Sequence, residues 1–394
     1  MTEYRTIEAG EMYASADVGN SSVKLILTDE HGKKARKQPS VISFLPVVPQ
    51  FEDEDLAVLV ANLHKNMVAH ITSESLKRNG LYAVGELANV HGGNGFNIKH
   101  HKKAEHDLTI IQPMAMIATM AVQNAYKRFG ELPKKIECNV QYTSAIPVVD
   151  YTKAEAKTLE NRLKGTHILI VYVGEGHRVI VIINVTGAKV VQEGIPAFYA
   201  LYGGSPNLFE SYNKRYNVNF DGKNFASRKI LFVDIGDGTL ELIYVENGKP
   251  VVMKSSGARL GVGHASEKAL KSFKSHYNFR AAISRSNFME KVLTDSDKWH
   301  TEAVNELDSA IFEQEQQIYD AIIDTIENTL SYDLDDVVIF GGGTNVFTHL
   351  ENQLIDYADG YKMRVLWIDG KDSALLNAIG LDELNTRLYF KKEV

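Results

Sequence analysis

The chain has 394 residues, 44% of them hydrophobic and 24% charged, which is typical of a globular protein with room for two domains. Its net charge of −7 disfavours non-specific nucleic-acid binding, and its single cysteine, Cys138, excludes an internal disulfide framework and a cysteine-rich zinc site. The sequence has no run of about 18 apolar residues and no basic, apolar leader, so we expect a cytoplasmic protein without a membrane span.

Strand-like and helix-like patterns alternate through the first half of the chain. Strands are predicted over Met12–Asp17, Val23–Thr28, Leu81–Val84, Ile136–Tyr142, Ile168–Val173 and Val179–Val185. Helices are predicted over Met114–Phe129, with Pro113 at the first helical position, and over Ala154–Leu163. The stretch Leu56–Ile71 has only a partial helical face and stays unassigned.

The second half begins in the same way as the first, with two predicted strands joined by a short turn. Strands are predicted over Lys229–Asp234, Leu240–Val245 and Asp336–Phe340, and helices from about His264 and over Glu302–Leu330. The segment Tyr202–Arg228 has no clear period and predicts a long surface insertion. Its candidate anchors for subunit or adaptor contacts are Phe209, Tyr212, Arg215 and Tyr216, although a plain flexible loop is an equal alternative.

Two similar turns, Asp17–Lys24 and Asp234–Leu240, each follow an apolar strand that ends in aspartate. Glycine and small hydroxyl residues in such a hairpin present backbone N–H groups to phosphate oxygens. The residues predicted to face phosphate are Gly19, Asn20, Ser21 and Ser22 in the first turn, and Gly236, Asp237, Gly238 and Thr239 in the second. Because a carboxylate repels phosphate, Asp17 and Asp234 are expected to act through water on a hydrated Mg²⁺. Either turn alone would be an ordinary hairpin; it is the repetition that predicts a phosphate site.

Further glycines follow a buried strand or precede a helix. Gly341, Gly342 and Gly343, followed by Thr344 and Asn345, would let a flat ligand approach the backbone, and the alternative is a simple strand-to-helix turn. Gly261 and Gly263 precede the helix predicted from His264, and the alternative is an ordinary helix entry. The sequence contains neither G-x-x-x-x-G-K-[ST] nor G-x-G-x-x-G before a helix, so it predicts no P-loop enzyme.

The short basic runs His31–Lys37 and Lys99–Lys103 are expected to be solvated surface. The histidines His100, His101 and His106 lie among lysines without a second ligand set, and we expect them at the surface. Cys138 lies in a predicted strand and is expected to be a buried, inert thiol.

Two aspartate-ended phosphate turns in similar halves, followed by a glycine-rich turn, resemble the actin, sugar-kinase and heat-shock-chaperone superfamily. More narrowly, the chain resembles the bacterial actin-like plasmid-segregation ATPases of the ParM/Alp type. The segments that carry this resemblance are Asp17–Lys24, Thr143–Tyr151, Val191–Ala197, Leu231–Glu241, Ser256–Gly263, Gly341–Gly343 and Leu375–Gly380. The Glu193-Gly-Ile-Pro sequence within Val191–Ala197 narrows the resemblance to the segregation branch.

The resemblance implies an α/β, actin-like fold with two similar domains around a nucleotide cleft. Domain I would comprise residues 1–192 and 370–394, and domain II residues 193–369 with the insertion at about 202–228. ATP and Mg²⁺ would bind in that cleft, with Asp17 and Asp234 orienting waters on Mg²⁺ and Lys24 neutralising phosphate charge. Glu193 would position the attacking water. The groups implied around adenosine are Gly341–Gly343 with Thr344 and Asn345, and the helix after Gly263 with Glu267 and Lys268.

The implied function is a polymerising ATPase whose filaments move plasmid or phage DNA through a DNA-binding adaptor protein, without contacting DNA or a membrane itself. The main enzymatic alternative is a sugar or acetate kinase on the same fold. A membrane-linked cell-division actin would need a C-terminal amphipathic helix, for which Leu384, Leu388 and Phe390 make a weak case. A chaperone-like ATPase is less favoured because no substrate domain follows Leu381. The sequence leaves open whether ATP or GTP is preferred.

Overall fold

The computed structural model describes residues 6–51, 54–90, 102–148, 150–278, 283 and 285–391. The chain divides into two compact units. Unit 1 comprises Met1–Tyr199 and Asn377–Val394, and unit 2 comprises Ala200–Leu376. Within the described residues, no helix is both long enough and apolar enough to cross a lipid bilayer.

Unit 1 is built on a nine-stranded sheet. Its strands are β1 (Thr6–Val18), β2 (Ser22–Asp29), β3 (Gly32–Pro39), β4 (Ile42–Phe44), β5 (Val68–Ser73), β6 (Gly80–Val84), β7 (Lys135–Ile146), β8 (Gly165–Gly174) and β9 (His177–Gln192). They lie in the order β3-β2-β1-β7-β9-β8-β5-β6-β4. The helices are α1 (Leu56–Asn62), α2 (Glu86–Val90), α3 (Leu108–Phe129), α4 (Lys153–Leu163) and α5 (Ile195–Tyr202), the last of which runs on into unit 2.

Unit 2 contains a six-stranded sheet. Its strands are β10 (Lys229–Ile235), β11 (Leu240–Glu246), β12 (Lys249–Pro250), β13 (Ser256–Ala258), β14 (Asp336–Phe340) and β15 (Arg364–Trp367). The main order is β12-β11-β10-β14-β15, and β13 pairs with β11. The helices are α6 (Glu210–Tyr216), α7 (Val262–His276), α8 (Arg285–Leu293), α9 (His300–Asp324), α10 (Thr348–Gly360) and α11 (Gly370–Glu383), which continues into unit 1.

The two sheets share one topology over five strands. In each, three antiparallel strands (β3-β2-β1 or β12-β11-β10) are followed by two parallel neighbours, β7 and β9 in unit 1 and β14 and β15 in unit 2. The predicted repeat of the opening hairpin is therefore confirmed. Every strand predicted from the sequence lies within an observed strand.

The structure corrects one local prediction, assigns one stretch that was left open and adds a strand to a third segment. Helix α3 begins at Leu108, and Pro113 lies inside it rather than at its first position, because the nearly continuous burial of Leu108–Val122 offsets the lost hydrogen bond. The unassigned stretch Leu56–Ile71 contains α1 and then the start of β5. The basic run His31–Lys37 is largely exposed as expected, but it forms the edge strand β3, whose charged side chains hide a strand pattern.

The segment Tyr202–Arg228, predicted as a surface insertion, carries many exposed residues but is not an irregular loop. It forms α6 and short 3₁₀ turns, and the side chains of Phe209, Tyr212 and Phe225 are fully buried. The Tyr212 hydroxyl donates to the Asp336 carboxylate over 2.6 Å, and the Arg228 guanidinium also donates to Asp336. Two of the four predicted interface anchors, Phe209 and Tyr212, are therefore core residues.

Unit 1 is completed by residues from the end of the chain. The Thr28 hydroxyl donates to Asp382 over 3.1 Å, and the Asn385 amide donates to the carbonyl of Ala14 over 2.9 Å. Leu381 and Leu384 pack with Ala145 of β7 and Val191 of β9, so the end of the chain also joins the core of unit 1.

Candidate functional site

The first predicted phosphate turn closes β1 and β2 as a tight hairpin. The Gly19 amide donates to the Ser22 carbonyl over 3.0 Å, and the Ser40 amide fixes the turn by donating to the Ser21 carbonyl over 2.8 Å. Asp17 lies opposite Lys24 across the two strands, so their side chains meet on the same face. The Lys24 ammonium contacts Asp17 Oδ2 at 2.9 Å.

A second buried ion pair lies near Asp17. Lys103, from a short 3₁₀ turn before α3, pairs with Glu193, which directly follows β9. The side chains of Lys103 and Glu193 are 7% and 10% exposed, so both charges are almost fully removed from water. The Glu193 backbone is fixed as well, since its amide donates to the Ile146 carbonyl over 2.8 Å.

The surroundings shift the pKa values of the two carboxyl groups, Asp17 and Glu193. Burial alone would raise the pKa of Asp17, but the ammonium groups of Lys24 and Lys103 outweigh burial and hold that pKa below its ordinary value. Burial raises the pKa of Glu193, the Lys103 ammonium opposes this rise, and the Asp17 carboxylate adds to it. The cluster therefore holds one firmly ionised carboxylate and one carboxylate that accepts a proton more readily.

Lys103 is the residue that sequence reasoning missed in unit 1. The sequence predicts a solvated run over Lys99–Lys103, and Lys102 is exposed, but Lys103 is buried; Lys99 lies outside the described residues. His100 and His101 also lie outside the described residues, and His106 is half-buried, where its ring accepts from the Leu108 amide. Nothing local distinguishes Lys103 from its neighbours, because only the tertiary fold brings it to Glu193.

The second predicted turn has the same geometry as the first. The Gly236 amide donates to the Thr239 carbonyl over 2.9 Å, and Asp234 lies opposite Glu241 in the register that Asp17 and Lys24 occupy. The partner across the hairpin is thus a cation in unit 1 and an acid in unit 2. Within the described residues, no group of three His, Cys, Asp or Glu side chains converges as a direct metal-binding set.

The start of α7 packs directly on this second turn. The amides of Val262 and Gly263 donate to the carbonyls of Gly236 and Asp237 over 3.1 and 2.7 Å, and the His264 ring contacts the Gly238 carbonyl at 3.0 Å. A Cβ on Gly261 or Gly263 would collide with the backbone of Asp237, so these glycines permit the close approach. This close packing accounts for the two glycines at the start of α7, whether or not they contact a ligand.

The triple-glycine turn after β14 has two packed glycines and one open glycine. Gly341 has a φ of +99°, and a Cβ there would lie 2.5 Å from Asp234 Oδ1. A Cβ on Gly343 would strike Ile235, whereas one on Gly342 would meet nothing within 4 Å. Gly342 is exposed, so it is the position of the three at which a ligand can reach the backbone.

The remaining predicted adenosine residues differ in accessibility. Thr344 is buried, with its hydroxyl 3.0 Å from the Gly341 carbonyl and 2.9 Å from the Ser373 hydroxyl. Asn345 is exposed and accepts from the Gly370 amide over 2.8 Å. Glu267 and Lys268 are exposed on α7, and Lys268 pairs with Glu313.

Comparison with known proteins gives a family match for almost half of the chain. Residues 15–195 match the family described as the actin-like proteins N-terminal domain. This segment contains the first phosphate turn, Lys103 and Glu193. No curated protein matches the sequence.

Solved structures match nearly the whole chain. The crystal structure of the actin-like protein Alp7A has a TM-score of 0.65 and 16% identity, covering 97% of both chains. ParM of Bacillus thuringiensis, solved with ATP, has a TM-score of 0.63 and 17% identity, covering 96% of this chain and 98% of its own. The archaeal actin homologue Ta0583 has a TM-score of 0.64 and 15% identity, covering 95% and 99%. At these identities the likeness shows the fold, which is the predicted actin-like one.

Proposed function

Because residues 15–195 match the actin-like proteins N-terminal domain and the chain has the fold of Alp7A and ParM, we propose that it is an ATPase of the ParM/Alp type that polymerises into filaments when it binds nucleotide. The filaments would move plasmid or phage DNA through an adaptor protein that binds the DNA. This proposal goes beyond the fold, which many proteins of different activity share.

The observation that carries the proposal is the repetition of one hairpin in both sheets. Gly19 and Gly236 close their turns with equivalent hydrogen bonds, to Ser22 and Thr239, and each turn follows a strand that ends in aspartate. A single hairpin of this kind is common, whereas two at equivalent positions of similar sheets indicate a ligand with several phosphates. ParM of Bacillus thuringiensis was solved with ATP, which is consistent with a nucleotide ligand here.

The residues present fit ATP with Mg²⁺. Asp17 is held ionised by Lys24 and Lys103, as an acceptor for metal-bound water must be. Gly342 leaves open space beside the backbone, as an adenine ring requires. The two turns would bind phosphates, Asp17 and Asp234 would bind waters of the metal, and Gly342 would contact adenosine. A bound Mg²⁺ would neutralise the charge that develops on the phosphates during transfer to water.

Glu193 is proposed as the residue that orients the attacking water and accepts its proton. Its raised pKa brings the carboxylate nearer to the range in which a general base is effective at neutral pH. Lys103 fixes that carboxylate through the buried ion pair and keeps it ionised. Since phosphate release would then depend on Glu193, filament lifetime would depend on it as well.

The proposal is tested by light scattering and pelleting of the purified protein with ATP, GTP or ADP, with Mg²⁺ or EDTA. We expect assembly with ATP and Mg²⁺, phosphate release that follows assembly, and disassembly as ADP accumulates. A non-hydrolysable ATP analogue should give persistent filaments. If no nucleotide causes assembly at any protein concentration tested, the filament function is wrong. ADP formation from ATP that depends on an added sugar or acetate, with the phosphoryl group transferred to that acceptor, would favour the kinase alternative.

A further inference from the structure

The two phosphate turns differ at their second residue. The hairpin registers align Gly19-Asn20-Ser21-Ser22 with Gly236-Asp237-Gly238-Thr239, so a neutral amide in unit 1 corresponds to a carboxylate in unit 2. A carboxylate within a turn that binds phosphate is unfavourable, because like charges repel at short range. The second turn therefore needs a compensating group that the first turn does not.

Arg285 is placed to provide this compensation. It is the first residue of α8, and both of its terminal nitrogens lie 3.3 Å from Asp237 Oδ2. The side chains of Arg285 and Asp237 are 32% and 23% exposed, so water screens the pair only in part. The fork of the guanidinium approaches a single oxygen, which fixes the direction of the Asp237 carboxylate.

The surrounding backbone makes room for this pair. A Cβ added to Gly263 would lie 2.5 Å from Arg285 Nη1 and 2.8 Å from Asp237 Oδ2. Gly263 also donates to the Asp237 carbonyl over 2.7 Å, so the same glycine fixes the turn backbone and admits the ion pair. Arg285, Asp237 and Gly263 therefore form one packed arrangement at the second turn.

We propose that Arg285 is a positioning residue for nucleotide binding, which neutralises Asp237 and holds its carboxylate away from the phosphates. With Arg285 in place, the second turn carries the same net charge as the first turn with Asn20. This inference rests on the proposed nucleotide-binding function and deepens it by assigning a role to a residue outside the turns.

The test is a double-mutant cycle on affinity for Mg·ATP, read by titration with a fluorescent ATP analogue. Arg285→Met leaves Asp237 uncompensated and should weaken binding by about threefold to tenfold, as suits a partly exposed charge pair. Asp237→Asn leaves the Arg285 cation unbalanced beside the phosphates and should strengthen binding, by up to about the same factor. The double variant Arg285→Met/Asp237→Asn should bind within about twofold of the wild type. Arg285→Lys keeps the charge and should retain most of the affinity.

Lys291→Met is the matched control, since it removes a cation from the same helix, where Lys291 pairs with Asp297 at 3.1 Å. It should leave affinity unchanged, and thermal melts should show that all variants remain folded. If Asp237→Asn fails to rescue Arg285→Met, Arg285 does not act by compensating Asp237, and the inference is overturned. Equal binding by Arg285→Met and wild type would overturn it as well. If the wild type itself binds no nucleotide, it is the proposed function that fails.

Discussion

Replacing Lys103 by methionine should expose the energetic cost of the buried Glu193 carboxylate. The two side chains are 7% and 10% exposed, so the variant would leave an acid with no paired ammonium in a site that excludes water. Removing one partner of a buried pair costs about 3–5 kcal/mol of unfolding free energy when the other charge remains. Methionine keeps the length of the lysine stem, so the loss of packing is small.

The loss of unfolding free energy in Lys103→Met should grow as the pH rises. Burial already raises the pKa of Glu193, and losing Lys103 removes the group that opposes this rise. A carboxyl group whose pKa is raised in the folded state stabilises the fold below its ordinary pKa near 4.5 and loses that contribution as pH rises through the folded value. Between these two values the variant should lose about 1.4 kcal/mol per pH unit, after which the loss levels off.

The assay is urea unfolding of wild type and Lys103→Met at several pH values from 5 to 8. Far-UV circular dichroism should be used, because both tryptophans, Trp299 and Trp367, lie in unit 2. Lys102→Met is the matched control, since Lys102 is exposed and pairs with Glu155 at the surface, so it should have a small effect that does not vary with pH. Adding Glu193→Gln to Lys103→Met should recover stability. A Lys103→Met defect that is no larger than that of Lys102→Met, or that is constant with pH, would refute this reasoning.

Three further outcomes test the proposed mechanism. Glu193→Gln should slow phosphate release while leaving ATP binding intact, so its filaments should outlast those of the wild type in time-resolved light scattering; normal release would remove Glu193 from the mechanism. Asp17→Ala and Asp234→Ala should each abolish Mg²⁺-dependent hydrolysis and filament turnover, whereas normal turnover would leave that aspartate as a strand-end residue only. Because the net charge is −7, the protein alone should not shift DNA in a gel at physiological salt, with or without ATP; a sub-micromolar, sequence-specific shift would overturn the adaptor hypothesis.

Local patterns sufficed to predict nine of the fifteen described strands, the hairpin turns and the glycine turn after β14. These features depend on apolar runs and on glycine at fixed offsets, which neighbouring residues alone specify. The predictions failed where burial depends on contacts between residues that are distant in sequence. Tyr212 and Phe209 belong to a short, irregular segment whose burial follows from a partner, Asp336, that is distant in sequence.

The charged residues Lys103 and Arg285 show the same limit at the candidate site. Both are ordinary surface residue types in the sequence, and each is assigned a role by one acid that the fold brings near, Glu193 or Asp237. The turn motif contains Asp237, whereas Arg285, the opposite charge that balances it, lies outside any motif. No sequence spacing identifies the counter-ion of Asp237, because only the fold brings Arg285 to it.

The completion of unit 1 by both chain ends has a consequence during synthesis. Thr28 and its partner Asp382 are separated by 354 positions, and Asn385 and Ala14 by 371. At about 5–20 residues per second, a ribosome adds Asp382 roughly 20–70 s after Thr28. Throughout that interval the β1–β2 hairpin exists without the residues that cover it, while all of unit 2 is translated and becomes free to fold. Ala14 and Thr28 of this hairpin thus emerge among the first parts of the chain and are among the last to reach their final surroundings.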